Sequence, residues 1–241
     1  MQFSDKTVII TGAGKGIGRA CAHIMAARGA NVVALTRTRA DLDTLYSEIG
    51  SRGIQVDLAD VAATRAAMAD AGRADFLINS AGVNILESVF DLTDDGYEAV
   101  MGVNLRAALI TCQEFARMRM AAGGGGAIVN ITSIAGHRGF PDHLSYAASK
   151  AGLEGASRVM AKELGPHGIR VNCVAPTITL TELAAAAWAD PTKSEPMMVR
   201  HPLERFADAE DIAESIAMLL SEDSKMMTGA VLPVDGGFLA V

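Results

Sequence analysis

Short β-branched runs alternate along the chain with longer stretches whose apolar positions recur every three or four residues. TVIITG (7–12) precedes IGRACAHIMAARG (17–29), NVVALT (31–36) precedes ADLDTLYSEIG, and IQVDL precedes VAATRAAMADAG. DFLINSAG (75–82) leads into one long helix predicted from about Asp94 to Met120. AIVNITS (127–133) leads into HLSYAASKAGLEGASRVMAKEL (143–164), and IRVNCVAP and AVLPVDGG bring the set to about seven strands. Near-continuous apolar strands separated by helices point to a parallel sheet covered on both faces. The expected architecture is α/β, a doubly wound sheet in one domain over residues 1–241, with no long linker and no second composition regime. The least regular stretch, 177–206, carries the lone tryptophan and follows the sixth strand. It reads either as a flap over a pocket at the carboxyl ends of the strands or as an ordinary surface insertion.

Composition narrows the function classes. Half of the 241 residues are hydrophobic, ample for one core, and the net charge of −7 argues against a nucleic-acid partner. Cys21, Cys112 and Cys173 are odd in number, far apart and set among apolar neighbours. They read as small core residues in a reducing compartment, and no metal site is expected. The N-terminus, MQFSDKTVII, lacks a basic region followed by a long apolar run. No stretch approaches the roughly 20 apolar residues of a membrane span. A cytoplasmic location with no membrane partner is the expectation.

TGAGKGIG places glycines at 12, 14, 16 and 18, at a strand-to-helix junction. The spacing is not that of a Walker loop, and the commoner dinucleotide spacing fails because Ile17 stands where its third glycine would be. The physical logic survives: glycines allow a sharp turn and let a pyrophosphate approach the free N–H groups of the helix start. The second strand ends in LTRTR, offering Thr36, Arg37, Thr38 and Arg39, with Lys15 inside the glycine turn. Asp41, at the start of the next helix, is read as too far along to meet a ribose. Guanidinium suits phosphate geometry, so NADP(H) is favoured over NAD(H), against the bland reading of solvated loop arginines. Tyr146 and Lys150 stand four residues apart and share a helix face, surrounded by small residues.

With TGAGKGIG, NSAG at 79–82, Asn104 in VNL, Ser133 in NITS and YAASK at 146–150, in that order, the chain resembles the short-chain dehydrogenase/reductase family from Lys6 to about Gly237. The resemblance implies a seven-stranded Rossmann sheet, a nicotinamide cofactor and hydride transfer between a carbonyl and an alcohol. It implies Tyr146 as the general acid/base. Lys150 would hold the nicotinamide ribose and lower the tyrosine's pKa by its charge. Ser133 would hydrogen-bond the substrate oxygen, and Asn104 would hold a water of the proton relay. Gly12, Gly14, Lys15, Gly16, Ile17 and Gly18 would form the pyrophosphate turn, with Arg37 and Thr38 beside the adenosine. Asp57 and Leu58 would meet the adenine; Asn79, Ala81 and Gly82 the adenosine ribose; Thr177 the nicotinamide. Within the family, TRTRADLD, APTITLTE, WADP and LPVDGGF resemble the dicarbonyl/L-xylulose reductase subgroup. That likeness implies a small carbonyl, sugar or polyol substrate against His143 and Trp188, and a homotetramer built through helices 94–120 and 145–164 and the C-terminal strand. The terminal GGFLAV is expected to pack on a neighbouring subunit. Two rival readings stand beside it. One is a 3-oxoacyl-carrier-protein reductase, for which Arg200, His201 and Arg205 would supply a basic surface. The other is a non-catalytic NADP(H)-binding regulator, disfavoured by the intact tyrosine–lysine pair.

Overall fold

The computed structural model describes residues 1–181 and 188–241. Part of the expected flap, 182–187, lies outside the described residues. Seven parallel strands form one sheet: β1 (Thr7–Thr11), β2 (Asn31–Thr36), β3 (Arg52–Gln55), β4 (Phe76–Asn79), β5 (Gly126–Ile131), β6 (Ile169–Pro176) and β9 (Val231–Val234). Their order is β3-β2-β1-β4-β5-β6-β9. The order reverses between β1 and β4, which opens a crevice at the strands' carboxyl ends, where such sheets bind ligands.

Alternation along each strand feeds two apolar layers. Val8 and Ile10 of β1, Val32 and Ala34 of β2, and Val129 of β5 face one side. There they pack on α1 (Gly16–Ala27), through Cys21 and Met25, and on α8 (Ala209–Leu220), through Ile212 and Ile216. Ile9, Val33, Leu35, Leu77 and Ile128 face the other, against Met68 of α3 (Val61–Ala71) and Cys112 and Phe115 of α5 (Ala108–Ala121). Each such large side chain, taken fully out of water, contributes about 1.5–3 kcal/mol. All three cysteines are buried and free. Burial pushes the Cys112 and Cys173 thiols up to about 12, so neither is a nucleophile near neutral pH.

One element departs from the pattern-based expectation. The predicted helix 94–120 is not uniform: α4 (Asp94–Met101) runs into a π-helical segment, Gly102–Ala107, before α5. Apolar periodicity has the same signature through a one-residue widening, so the sequence did not reveal it. Thr93 caps the start of α4, its hydroxyl accepting the Gly96 N–H at 3.0 Å, a contact of about 1 kcal/mol. At the C-terminus one large apolar side chain is covered within the chain. Phe238 is 1% exposed and packs within its own chain, its ring 5.1 Å from His201 and 5.9 Å from Phe140. Ala240 and Val241 beyond it are exposed, Val241 at 70%.

Around the flap, β7 (Thr179–Leu180) pairs in parallel with β8 (Ala207–Asp208). The short helix α7 (Pro191–Met198) begins with Asp190 as its cap and proline in its first turn. α2 (Arg39–Ile49) and α6 (Leu144–Leu164) complete the helices used below. No helix among the described residues is long and apolar enough to cross a membrane.

Candidate active site

The glycine turn joins β1 to α1 under tight steric limits. At Gly12, φ is +67° and an added Cβ would lie 2.7 Å from Ala81 Cα. At Gly18 it would lie 2.3 Å from the Gly12 carbonyl oxygen, so any side chain there would force helix and strand apart. Thr11 fastens the neighbouring strand exit, its hydroxyl accepting the Ser80 and Ala81 N–H groups at 3.2 and 3.3 Å. The first turn of α1 has no side-chain cap and no acidic residue, which leaves its N–H groups directed at the crevice.

A cavity of about 420 Å³ extends from this turn to the ends of β2 and β3. It is lined by Gly12, Lys15, Arg37, Thr38, Asp57, Leu58, Ala81 and Gly82, all expected there. Lys15 and Arg37 form no ion pair among the described residues, whereas Arg39 is turned along α2 to Asp43 at 2.9 Å. Arg39 is therefore not part of the cavity. Asp41, read as too distant, is part of it: the first turn of α2 folds back toward the glycine turn, where a Cβ on Gly14 would lie 2.6 Å from Asp41 Oδ2. Asn79 departs in the opposite sense. Its side chain is 4% exposed and engaged in the interior, donating to Asn130 Oδ1 at 2.9 Å and accepting from the Thr111 hydroxyl at 2.7 Å. It braces the sheet, and the backbone after it reaches the cavity.

A second cavity, of about 400 Å³, continues past Ile17 and Gly82 to Ser133, Tyr146, Lys150 and Thr177. Helix α6 presents Tyr146 and Lys150 on one face, as their spacing predicts. Lys150 is 4% exposed and donates to the Ile131 carbonyl at 2.9 Å. Asn104 lies in the π segment, 1% exposed, with both ends of its amide engaged. It accepts from the Val83 N–H at 2.8 Å and donates to the Val83 carbonyl at 2.9 Å and to Ser149 Oγ at 3.2 Å. Ser149 in turn donates to the Tyr146 carbonyl at 2.7 Å. Asn104 thus ties the loop after β4 to α6, beside Lys150; a Cβ on Gly82 would meet Asn104 Oδ1 at 3.4 Å and Lys150 Nζ at 3.6 Å.

Tyr146 is half-buried, and burial pushes its phenol up, while a hydrogen bond with the Ser133 hydroxyl pulls it back. Burial pushes the Lys150 ammonium down to about 8. The Lys150 ammonium lies over the Tyr146 ring, 5.5 Å from its centroid, and donates to the Ile131 carbonyl. Ser133 is the group that favours phenolate.

Ser133, Tyr146 and Thr177 also border a third cavity, of about 770 Å³, together with His143, Trp188, Ile134, Asn84, Phe140, Lys193 and Met197. His143 begins α6 without capping it; its Nδ1 lies 2.6 Å from the Pro141 carbonyl, and its ring is 5.9 Å from Tyr146. Trp188 packs on Phe206 at 5.5 Å. His137, by contrast, turns away to the buried Glu154, 3.0 Å distant. Of the three cations named for a carrier-protein surface, Arg200 and Arg205 are exposed. His201 is 1% exposed, Arg205 is paired with Asp211 at 2.6 Å, and the Arg200 guanidinium lies 4.5 Å over the Phe238 ring. Sequence reading missed Phe140, Lys193 and Met197, which have no motif and reach the cavity only through the fold.

A family model described as enoyl-(acyl carrier protein) reductase matches residues 12–239. L-xylulose reductase of Bos taurus is 45% identical over 241 residues, covering 100% of this chain and 99% of the relative. The chain belongs to the short-chain dehydrogenase/reductase family. D-erythrulose reductase of Gallus gallus is 46% identical over 240 residues, 99% of this chain and 98% of the relative. A solved structure from Beutenbergia cavernae, described as a putative NAD(P)-dependent gluconate 5-dehydrogenase with bound NADP at low occupancy, has a TM-score of 0.93 at 34% identity, covering 100% of both chains. As a short-chain dehydrogenase/reductase, the chain is an oxidoreductase of alcohols and carbonyls that works with a nicotinamide cofactor. The residues present fit that cofactor. The uncapped first turn of α1 suits a pyrophosphate, the glycine contacts keep side chains out of its path, and two contiguous cavities run from Arg37 to Tyr146.

Proposed function

We propose that this enzyme interconverts a small ketone, ketose or α-dicarbonyl and its alcohol with NADP(H), in the manner of an L-xylulose/dicarbonyl reductase or a polyol dehydrogenase. The observation that carries the reading is the meeting of two cavities at Ser133, Tyr146 and Thr177, one leading to the glycine turn and the other to His143 and Trp188. When bound, the reduced nicotinamide supplies the hydride that becomes the new C–H bond of the alcohol. Ser133 holds the substrate oxygen, and the Tyr146 phenol transfers its proton to that oxygen as negative charge develops on it. In the direction of oxidation Tyr146 takes the proton back. Lys150, anchored by the Ile131 carbonyl, lies where it holds a ribose and keeps a positive charge next to the phenol. Asn104 keeps the loop and α6 in register.

The substrate wall mixes polar donors (Asn84, His143) with apolar surface (Trp188, Phe140, Ile134), which suits a short hydroxylated ketone. Its relatives' names, L-xylulose reductase, D-erythrulose reductase and D-threitol dehydrogenase, support that substrate class. Preference for NADP(H) rests on Lys15 and Arg37 at the adenosine end, both without ion pairs among the described residues, and on the cap of α2 at Thr38, whose side chain makes no capping bond. Asp41 at the same rim weakens that preference without reversing its sign. Exposed Tyr97, Met120 and Val159 on α4, α5 and α6 support the homotetramer.

An initial-rate panel with NADPH and NADP⁺ over diacetyl, L-xylulose, other ketoses, polyols and an acetoacetyl thioester tests the substrate class. Tyr146→Phe should abolish turnover on every active substrate while NADP(H) binding stays nearly unchanged. A variant that kept most of its rate would rule out the tyrosine mechanism.

A further inference from the structure

His201 occupies a position that the reaction chemistry does not explain. Its ring is 1% exposed, lies 5.5 Å from Phe206 and 5.1 Å from Phe238, and has Gly236 packed against it, where an added Cβ would come within 3.5 Å of Cδ2. Both ring nitrogens are engaged. Nδ1 is 2.8 Å from the Met197 carbonyl at the end of α7, and Nε2 is 2.7 Å from Thr177 Oγ1. A carbonyl can only accept, so Nδ1 carries the ring proton. With that proton on Nδ1 and Nε2 holding the lone pair of the neutral ring, the Thr177 hydroxyl donates to Nε2.

That fixes what Thr177 shows to the cavity. Its backbone is already pinned, its N–H donating to the Val234 carbonyl at 3.2 Å and its carbonyl accepting from the Thr179 hydroxyl at 2.9 Å. With the hydroxyl proton committed to His201, Oγ1 turns only lone pairs toward the space it shares with Tyr146 and Lys150. We infer that His201 is a positioning residue that holds Thr177 as a hydrogen-bond acceptor, selecting a nicotinamide whose carboxamide donates an N–H. The inference rests on the proposed reading that Thr177 faces the nicotinamide. It adds that the polarity of the contact is set from the flap side, through the Met197 carbonyl in the last turn of α7.

The test compares dissociation constants by titration calorimetry, all measured at the same pH. The ligands are NADP⁺ and its 3-acetylpyridine analogue, whose ring substituent keeps the carbonyl but has no N–H. Wild type should bind the analogue roughly tenfold more weakly, the worth of one hydrogen bond. His201→Asn keeps a donor near the Met197 carbonyl but has nothing to accept from Thr177, so the freed hydroxyl can donate to the acetyl oxygen. The ratio should fall to about threefold or less. His201→Gln places an amide oxygen near the Nε2 position and should restore most of the wild-type ratio. Thr177→Val should bring the ratio close to one and Thr177→Ser should keep it, which covers the case of a His201 variant that does not fold. A wild-type ratio near one would overturn the inference. So would equal, wild-type-like ratios in the Asn and Gln variants, the result of a purely packing role. If wild type bound neither nucleotide, the cofactor reading itself would fail and this inference with it.

Discussion

Lys150 gives the most direct quantitative check on the site, because its burial has a pH signature independent of turnover. The ammonium is 4% exposed and burial pushes it down to about 8, from an ordinary value near 10.5. Its folded value therefore lies below its unfolded one. Below about pH 8 both states are charged and the folded state bears the full desolvation cost; between about 8 and 10.5 the unfolded chain binds more protons, so stability rises with pH. Replacing Lys150 with Met removes this dependence. The variant also leaves the Ile131 carbonyl without its donor, a cost of about 1–3 kcal/mol, and relieves the charge burial, so the sign of the difference at any one pH is a balance of terms. The slope is not, because the pH-independent terms cancel. From about pH 6.5 to about pH 9.5, wild type should gain about 2 kcal/mol relative to Lys150→Met, nearly all of it above pH 7.5. Urea unfolding of both proteins at equal concentration across that range measures it, with oligomer dissociation held constant. A difference flat in pH would mean that the lysine is not buried as charge, and one falling with pH would reverse the electrostatic account.

Arg37→Ala should raise the dissociation constant for NADPH by about 10- to 100-fold, the loss of one or two charge-assisted hydrogen bonds, and leave NADH binding nearly unchanged. Equal weakening of both cofactors would remove Arg37 from the 2′-phosphate. Trp188→Ala should raise KM for a ketose by more than for diacetyl, because it removes wall area and leaves the proton donor in place; equal effects would take Trp188 out of the substrate pocket. Sedimentation equilibrium should give a tetramer, and a monomer at micromolar concentration would leave Tyr97, Met120 and Val159 as plain surface.

Most of the fold was legible because a parallel sheet buried on both faces writes itself into the chain as apolar runs, which the structure splits between two layers residue by residue. What periodicity could not carry was a change of helical pitch. Residues 94–121 keep an apolar stripe throughout, yet the π segment at Gly102–Ala107 re-aims Asn104 inward, between Val83 and Ser149. The burial of Phe238 within its own chain was not legible for a related reason. A terminal apolar run looks unpartnered until the chain reversal at Gly236 and Gly237, both with positive φ, sets its ring against His201 and Arg200.

The site divides along a similar line. Residues whose role depends on backbone shape or on spacing within one element, such as Gly12, Gly18, Tyr146 and Lys150, could be found from local sequence, because the constraint is itself local. Residues whose role depends on where a side chain goes could not. Asn79 was placed beside the ribose by the family resemblance and Asp41 was set aside by its distance along the chain; in space the Asn79 side chain enters the Asn130–Thr111 network and Asp41 comes back over the glycine turn. His201 is the sharpest case. A histidine between Arg200 and Pro202 reads as surface, and it becomes informative only when two distances of 2.7 and 2.8 Å fix its tautomer and, through it, the direction of a neighbouring hydroxyl. The glycine turn is thus encoded locally in this chain, whereas the polarity of an individual contact such as that of Thr177 with His201 is encoded between segments more than twenty residues apart.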